Sequence, residues 1–346
     1  MARVTWREVG NAFGLHLVAA RETEKVAFAE DADGRAYVLK AYSLRFSIDH
    51  LHQLLSRVHA NGFRRTITLL PARDGKPYWE ADGRRWVVMP CLPGRPANYG
   101  KKSEVARVAE TLATFHRAAV HVWSCRHGRD VPYLSRLTDR YWEYLRVYRQ
   151  ASAHPGKSPV ARWIAETGAV ILREAETALA VLPVPILMAY NQRDVGLFGA
   201  VAHHDVARHN FLVDGHDVYL LDLDAFGIDW QAGDLVQLLS RALWDARWRP
   251  DVGLVAAAAY ERVRPLDPGE RWLIPYLLRF PADEMREALG AWRGTKGYSP
   301  SRSLAFLRYA WRLRPRREAA LAHLFRIWAG RDSAASPICG TIGVKR

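Results

Sequence analysis

The stretch that decides the fold is HHDVARHNFLVDGHDVYLLDLD, which covers residues 203–224. Two short apolar runs, FLV and YLL, flank a polar, glycine-containing segment. This pattern is typical of two antiparallel strands joined by a turn, and it predicts a β-hairpin. If Val213 faces Tyr219 across the hairpin, Asn210 faces Asp222 at its open end, about 4.5–5.5 Å away.

The polar residues at this open end have the side chains that phosphoryl transfer needs. A carboxylate (Asp222) and an amide oxygen (Asn210) brought to one point are hard oxygen ligands of the kind that Mg²⁺ prefers. Asp205 lies five residues before Asn210, on the loop leading into the same end, where it can orient an acceptor hydroxyl. The spacing D-x-x-x-x-N, followed by an aspartate at a strand end, is the pattern of kinase catalytic loops and indicates phosphoryl transfer.

Upstream of this stretch the chain has the pattern of strands joined by turns, with one helix. A β-favouring run at 36–40 ends in Lys40, and two more strands are predicted at 66–71 and 85–90. Apolar residues recur at helical spacing between 48 and 60. Lys40 is either a surface lysine at a strand end or the cation that binds the α- and β-phosphates of a nucleotide.

The character of the chain changes after residue 90. A connector rich in proline and glycine, CLPGRP, comes first, and the apolar periodicity beyond it is mostly helical. We predict helices at 105–119, 137–151, 160–182, 234–247, 252–262, 270–278 and 303–328. The expected division is an N-terminal nucleotide-binding lobe (1–90), a hinge (91–98), a helical catalytic lobe (99–331) and a flexible tail (332–346). The fold class is α+β and bilobal, with a small antiparallel-sheet lobe and a larger, mainly helical lobe.

Composition narrows the class of protein further. The chain has 346 residues, of which 49% are hydrophobic and 25% charged, as expected for a globular protein of about two domains. No apolar stretch reaches the length of a membrane span or of a signal-peptide core. Three widely spaced cysteines favour a reducing cytoplasm over a disulfide framework. The net charge of +14 comes largely from scattered arginines, which disfavours nucleic-acid binding.

Several further motifs give the chain a resemblance to the aminoglycoside-phosphotransferase and choline-kinase-like superfamily. Within it, the chain most resembles the CotS-type spore-coat kinase-like family. The motifs are YVLK ending at Lys40, ATFH ending at His116, H-x-D through NFL, LDLD, DL at Asp234, and RPL followed by FP. The resemblance spans roughly residues 10–325 and implies the bilobal, protein-kinase-like fold.

The resemblance also implies roles for the residues that match its motifs. Asp205 resembles the catalytic aspartate, and Lys40 resembles the phosphate-binding lysine. Asn210 and Asp222 resemble the metal ligands. The implied cofactors are ATP or GTP together with Mg²⁺.

Four other positions complete the implied site. The backbone near Met89 and Cys91 resembles the adenine-contacting hinge, His203 a histidine that supports the catalytic loop, and Asp234 a residue that organises this loop from a helix start. The acceptor would be a hydroxyl of a small molecule or a glycan. The alternative is a structural or interaction protein of the spore coat, with spore-coat partners, that keeps the fold with weak or no catalysis.

Three departures from the family pattern bear on catalysis. His204 stands where the superfamily usually has glycine, so its backbone must adopt an unusual conformation and its side chain can crowd the acceptor. No glutamate lies within the predicted helix after Lys40. The ion pair that usually steadies the strand lysine is therefore missing, or its partner is Asp49 or Gln53. The presumed nucleotide loop at 20–25 has no glycine to let backbone N–H groups approach phosphates.

A zinc site is an alternative use of the histidines in the deciding stretch. His203, His204, His209 and His216 lie close together in sequence. Their spacing matches no helical or finger pattern, so we disfavour zinc.

Overall fold

An antiparallel sheet forms the smaller lobe of the computed structural model, which describes residues 4–120, 133–181 and 200–331. Its strands are β1 (Leu17–Glu22), β2 (Val26–Asp31), β3 (Ala36–Ser43), β4 (Trp79–Ala81) and β5 (Arg84–Pro90). They lie in the order β1-β2-β3-β5-β4, and each pair of neighbours is antiparallel.

Both faces of this sheet are covered. Leu39 shares a small buried core with helix α1 (Trp6–Ala12) on one face. Val38 packs on the other face against the main core, to which the apolar side of α2 (Ile48–Ala60) belongs. Because alternate residues of a strand share a face, Lys40 lies on the α2 side with Val38. The lysine therefore faces the larger lobe.

A three-stranded sheet joins the connector between the lobes to the larger lobe. β6 (Arg95–Pro96) pairs with β8 (Phe211–Asp214), and β8 pairs with β9 (Asp217–Leu220). The backbone of Gly94 has φ of +105°, and a Cβ added there would lie 2.7 Å from the carbonyl oxygen of Val213. Only glycine fits this contact, so this position fixes how the connector joins the hairpin.

The larger lobe is mostly helical around one continuous core. Its helices are α3 (Lys102–Ala118), α4 (Tyr133–Ala153), α5 (Pro159–Ala180), α6 (Ala232–Asp245), α7 (Pro250–Val263), α8 (Pro268–Leu277), α9 (Ala282–Arg293) and α10 (Pro300–Arg331). Helix α3 packs along α7, and α4 packs along α5. A short sheet of β7 (Val201–Ala202) and β10 (Gly227–Ile228) brackets the deciding stretch.

The predicted fold class is confirmed, since a small antiparallel sheet is followed by a larger helical part. Each predicted helix is present, α2 with the predicted bounds and the others with ends shifted by a few residues, whereas the sequence patterns missed α1 and α9. The predicted tail at 332–346 lies outside the described residues. Within the described ranges, no helix is both long and apolar enough to cross a membrane.

The predicted strand at 66–71 is wrong. This segment makes isolated contacts with two different sheets. Thr66 forms an isolated bridge with Leu220, and the N–H of Leu70 donates to the carbonyl of Val88. Its β-favouring residues are explained by burial between the sheets and not by a place in either ladder.

Glu104, in the first turn of α3, ties the connector to the helical lobe. Its carboxylate accepts two hydrogen bonds from the guanidinium of Arg95, at 3.0 and 2.7 Å, and one from the N–H of Asn98 at 2.9 Å. The hydrogen bonds from Arg95 lower the pKa of Glu104 to about 2, against the effect of burial. The ionised carboxylate is therefore the form that the folded state favours.

We predict that Glu104→Gln lowers the free energy of unfolding at pH 7 by about 2 kcal/mol, because the ionised acceptor of the Arg95 guanidinium is lost. The loss is no larger because Arg95 is more than half exposed, so solvent screens part of the pair. A depressed pKa stabilises the fold above the carboxyl's ordinary value of 4.5, and this stabilisation is lost as the pH falls toward 2. The difference between wild type and variant should shrink accordingly, as measured by urea unfolding at pH 7 and at about pH 3.

Glu110→Gln is the matched control, because Glu110 lies exposed on the same helix. We expect it to change the stability by less than about 0.5 kcal/mol at either pH. An equal difference between wild type and Glu104→Gln at both pH values would contradict the charge-based anchoring of the connector.

Candidate functional site

Asp205 lies on the loop after β7, with its side chain 41% exposed. Its N–H donates to Nδ1 of His203 at 3.2 Å. Its Oδ1 accepts from Nη2 of Arg241 on α6 at 3.3 Å, and its Oδ2 accepts from Nδ2 of Asn210 at 3.2 Å. The carboxylate is thus held in place while one side of it remains open to a ligand.

Asn210 is almost fully buried at the end of the 3₁₀ turn Arg208–Asn210. Its Nδ2 donates both to the carbonyl of Asp205, at 2.9 Å, and to the Asp205 carboxylate. These two bonds fix the orientation of the amide, because only the nitrogen can donate. The amide oxygen consequently points away from Asp205 and is available as a ligand.

The hairpin is present, but its predicted register is wrong by one residue. Val213 pairs with Val218 and not with Tyr219, which lies opposite Leu212. Val213 and Val218 are both buried, so the apolar partners on the core face decide the register and close a two-residue turn at Gly215.

The corrected register places Leu221 opposite Asn210, with Asp222 as the next residue. The N–H of Leu221, and not Asp222, pairs with the carbonyl of Asn210, at 2.8 Å. Asp222 follows in the left-handed conformation, with φ of +52°, where the chain leaves the strand. Such a conformation is costly for a non-glycine residue and is common at functional sites.

Lys40 crosses from the smaller lobe to meet Asp222. Its Nζ lies 2.8 Å from Oδ1 of Asp222 and 2.6 Å from Oδ2 of Asp224. Burial opposes the charge on Lys40, but the two carboxylates outweigh it and raise the pKa of the lysine. Burial likewise opposes ionisation of Asp222, and the bond with Lys40 lowers the pKa of this carboxyl.

Asp224 is a site residue that the sequence reasoning missed. It accepts a hydrogen bond from Oη of Tyr42 at 2.7 Å, besides its contact with Lys40. Burial raises the pKa of Asp224, Lys40 opposes this and the nearby Asp222 adds to it, so the pKa lies above its ordinary value. The D-x-D spacing in the deciding stretch was the available signal, together with Tyr42 two residues after Lys40 on the same strand face.

Asp234 is fully buried near the start of α6 and holds the backbone of the loop before Asp205. Its carboxylate accepts from the N–H groups of His203, at 2.5 Å, and His204, at 2.9 Å, and lies 3.0 Å from Nε2 of His116. Burial opposes ionisation, but the bond with His116 outweighs it and lowers the pKa of Asp234. Burial also lowers the pKa of His116, whose Nδ1 is 2.7 Å from Oη of Tyr260. Tyr260 therefore donates to His116, and His116 donates to Asp234.

His203 links this loop to the hairpin. Its Nδ1 accepts from the N–H of Asp205, and its Nε2 donates to the carbonyl of Leu221 at 2.8 Å. The ring is fully buried and packs edge-on against Phe115. His203 thus connects the residue before Asp222 with Asp205 itself.

His204 occupies the position where the superfamily usually has glycine, and it adopts a left-handed backbone with φ of +68°. Its ring does not lie free in the cleft. Nδ1 is 2.9 Å from the carbonyl of Ala225, and Nε2 is 2.8 Å from Oδ2 of Asp229. Asp229 also accepts from the N–H of Tyr133 at the start of α4. His204 therefore ties the loop to α4, and neither His203 nor His204 has a ring nitrogen left to bind zinc.

The predicted hinge contacts lie at the end of β5. Met89 is buried opposite Val38, on the same face of the sheet as Lys40. The N–H of Cys91 donates to the carbonyl of Ala36 at 2.8 Å, so it is already used within the sheet. Because the N–H and the carbonyl of one peptide group point in opposite directions, the carbonyl of Pro90 points away from β3.

The structure also shows the surroundings of two other departures from the family pattern, the missing glutamate partner of Lys40 and the loop without glycine. Lys40 takes its ion pairs from Asp222 and Asp224 of the larger lobe, whereas Asp49 lies exposed on α2. The β1–β2 connection is a tight turn in which the N–H and the hydroxyl of Thr23 both donate to the carbonyl of Val26. The N–H group of Thr23 is therefore already hydrogen-bonded within the turn.

The site thus draws its residues from distant parts of the chain. Asp205 is hydrogen-bonded to Asn210, Asp222 follows the residue whose N–H bonds to Asn210, and Lys40 reaches Asp222 from the other lobe. A carboxylate open to solvent, an oriented amide oxygen and a carboxylate paired with a lysine lie together between two lobes. This arrangement suits the positioning and charge neutralisation that phosphoryl transfer requires.

Comparison with known proteins supports this chemistry. A sequence model of the phosphotransferase enzyme family APH matches residues 17–276. Among proteins with curated descriptions, none matches this sequence.

Solved structures of phosphotransferases have the same fold. An aminoglycoside phosphotransferase from Alicyclobacillus acidocaldarius is 23% identical with a TM-score of 0.83, over 95% of this chain and 98% of that chain. A spectinomycin phosphotransferase in complex with ADP and spectinomycin is 14% identical, with a TM-score of 0.60 over 87% and 92% of the two chains. Amicoumacin kinase in complex with AMP-PNP, Ca²⁺ and Ami is 14% identical, with a TM-score of 0.56 over 89% and 90%.

We predict that Asp234→Asn destabilises the protein by about 3 kcal/mol or more. Both carboxylate oxygens of Asp234 accept from backbone N–H groups, so either orientation of an amide points its NH₂ at a donor. Urea unfolding at pH 7 measures the loss. Asp139→Asn, at an exposed position on α4, is the control and should stay within about 0.5 kcal/mol of wild type. Equal stability of the two variants would remove Asp234 from its role as the support of the loop.

Proposed function

This chain belongs to the phosphotransferase enzyme family, and we propose that it transfers the γ-phosphate of ATP or GTP to a hydroxyl of a small molecule or glycan. The observation that carries the proposal is the meeting of Lys40 with Asp222, beside Asn210 and Asp205. Lys40 comes from the smaller lobe and the other three residues from the larger lobe, so the contact of Lys40 with Asp222 depends on the tertiary fold.

In the proposed reaction Asp205 orients the acceptor hydroxyl and accepts its proton. The hydroxyl oxygen forms a bond to the γ-phosphorus, and the bond from that phosphorus to the β,γ-bridging oxygen breaks, which releases ADP or GDP. Lys40 neutralises charge on the α- and β-phosphates. Asp205 passes its proton to water after the product leaves, so that the charges and atoms balance.

A divalent cation fits the oxygen donors of this site. The Asn210 amide oxygen is turned away from Asp205 because its nitrogen is bound there, and Asp222 supplies an ionised carboxylate. One amide and one carboxylate are a typical protein share of a Mg²⁺ site, where phosphates and water supply the other ligands. When bound, Mg²⁺ would neutralise charge on the phosphate oxygens.

We place the nucleotide base against the end of β5. Met89 packs there on the same face as Lys40, and the connector begins at Cys91. The polar contacts proposed near Met89 and Cys91 shift by one residue, to the carbonyl of residue 90 and the N–H of Leu92, because the N–H of Cys91 is used by Ala36. Two solved structures of the same fold contain ADP or AMP-PNP, which supports nucleotide binding by this fold.

The surroundings of Asp205 favour an acceptor that is not a polycation. Arg241 lies 3.3 Å from Asp205, and Arg208 lies 4.0 Å from Asp245 at the end of the same helix α6. Both guanidinium groups are paired with carboxylates, and the net charge of +14 would repel a ligand with several ammonium groups. An aminoglycoside is therefore a poorer candidate than a neutral or anionic hydroxyl compound.

The second candidate is a spore-coat scaffold of the CotS type that keeps the fold with weak catalysis. The tight turn at Thr23, which lacks the glycine that a phosphate cradle needs, favours this candidate. The two candidates also differ in location, the cytoplasm for the enzyme and the spore coat for the scaffold. Nucleotide binding separates them without knowledge of the acceptor.

We predict that saturating Mg·ATP or Mg·GTP stabilises the wild-type protein against heat. At 100 times the dissociation constant the gain is about 2.7 kcal/mol, which corresponds to a rise of about 5 °C in Tm. Asp222→Asn should abolish this rise and the slow release of ADP that occurs with water as the acceptor, whereas Asp205→Asn should keep the rise and lose this release. Asp217→Asn, at the exposed end of the same hairpin, should behave as wild type.

The outcomes assign the function clearly. If neither nucleotide changes the Tm of the wild-type protein, the scaffold is favoured over the enzyme. A rise that survives in Asp222→Asn would mean that the nucleotide binds away from the proposed metal site.

A further inference from the structure

Lys40 contacts two carboxylates, although the kinase-like arrangement expects one helix glutamate to steady it. The contact with Oδ2 of Asp224, at 2.6 Å, is shorter than the contact with Oδ1 of Asp222, at 2.8 Å. The lysine side chain is only 17% exposed. No glutamate lies between Lys40 and Gly62 in the sequence, so the carboxylate that steadies Lys40 comes from the larger lobe.

Tyr42 fixes Asp224 from the same strand that carries Lys40. Its Oη donates to Oδ1 of Asp224 at 2.7 Å, which leaves Oδ2 for the lysine. The Tyr42 ring is stacked on Phe46 with centroids 4.3 Å apart, and Nζ of Lys40 lies 5.0 Å from its centroid. Asp224 thus contacts both Lys40 and Tyr42 of the same strand, whereas Asp222 contacts Lys40 without a hydrogen bond from Tyr42.

Asp222 meets two demands that conflict. The proposed cation needs its carboxylate, yet Oδ1 of this carboxylate is bonded to Lys40. An ammonium group and a divalent cation at the same carboxylate repel each other. Lys40 needs another anion if Asp222 is to turn to the metal, and Asp224 is the one in contact with it.

We infer that Asp224, held by Tyr42, is the positioning residue for Lys40, and that it takes the place of the helix glutamate and releases Asp222 to the metal. This inference rests on the proposed nucleotide-binding role of Lys40. Asp224 acts through the lysine and touches neither the nucleotide nor the acceptor.

The first experiment tests the contact in the ligand-free protein, so it does not depend on any nucleotide. We compare the Tm of wild type, Lys40→Met, Asp224→Asn and the double variant. If the two residues act as a pair, the double variant loses clearly less Tm than the sum of the two single losses. Additive losses would overturn the pairing even if the enzyme proposal holds.

The second experiment measures the affinity for ATP in the same four proteins, with EDTA and then with Mg²⁺. Asp224→Asn should weaken Mg·ATP binding about tenfold, the loss of one charge-assisted contact. In the Lys40→Met background the same substitution should have no further effect. A further loss of affinity in the Lys40→Met background would indicate that Asp224 is a metal ligand. Tighter binding of ATP by Asp224→Asn in EDTA would indicate that Asp224 only repels the phosphates. Both results contradict the inference.

Tyr42→Phe tests the support of Asp224, and Tyr37→Phe is its matched control. Tyr37 lies on the same strand but on the opposite face, where its Oη donates to Asp31 at 2.9 Å. Both variants lose one tyrosine–aspartate hydrogen bond, so both should lower Tm. Only Tyr42→Phe should weaken Mg·ATP binding, by several-fold. Equal effects of the two variants on affinity would assign Tyr42 a purely structural role.

These results separate the inference from the proposed function. If wild type binds no nucleotide, the enzyme proposal fails, while the ligand-free comparison still decides whether Lys40 and Asp224 form a pair. If wild type binds nucleotide and Asp224→Asn binds it equally well, the enzyme proposal stands and the positioning role of Asp224 fails.

Discussion

The buried carboxylate of Asp234 is the constraint on which the site depends. It accepts hydrogen bonds from the N–H groups of His203 and His204, from the ring of His116 and, at 3.5 Å, from Nε2 of Gln237. Four donors thus converge on one ionised group inside the larger lobe. A buried charge is stable only when it is fully hydrogen-bonded. The backbone before Asp205 therefore has little freedom, and its left-handed residue at 204 is held in place by the structure around it.

From this fixed loop the contacts pass outward to both lobes. His203 bonds to the carbonyl of Leu221, which places the next residue, Asp222, and His204 bonds to Asp229, which accepts from the N–H at the start of α4. Asp222 and Asp224 then meet Lys40 of the smaller lobe. Charge pairs across the cleft thus align the lobes, while Gly94 and Glu104 set the connector between them.

Much of this could be predicted from the sequence, because it depends on local patterns. The helix at 48–60 has the predicted bounds, and the hairpin follows from its apolar runs and Gly215. The register of that hairpin could not be predicted from the strand letters, because it depends on which valines the core buries. Burial also explains the strand-like residues of segment 66–71, which belongs to no sheet. Both predictions were wrong because the register and the conformation of 66–71 depend on long-range packing, which no local pattern contains.

The sequence by itself determined the chemistry available to this protein: the D-x-x-x-x-N spacing, the aspartates after the hairpin and a strand lysine before the connector. Their types and spacings limit what they can bind, whatever their surroundings. Only the tertiary structure decided which groups meet. The pairing of Lys40 with Asp224, the hold of Tyr42 on Asp224 and the place of Arg241 beside Asp205 join residues up to 184 positions apart. Such contacts follow from the packing of two lobes and a buried carboxylate, which no local pattern of residues contains.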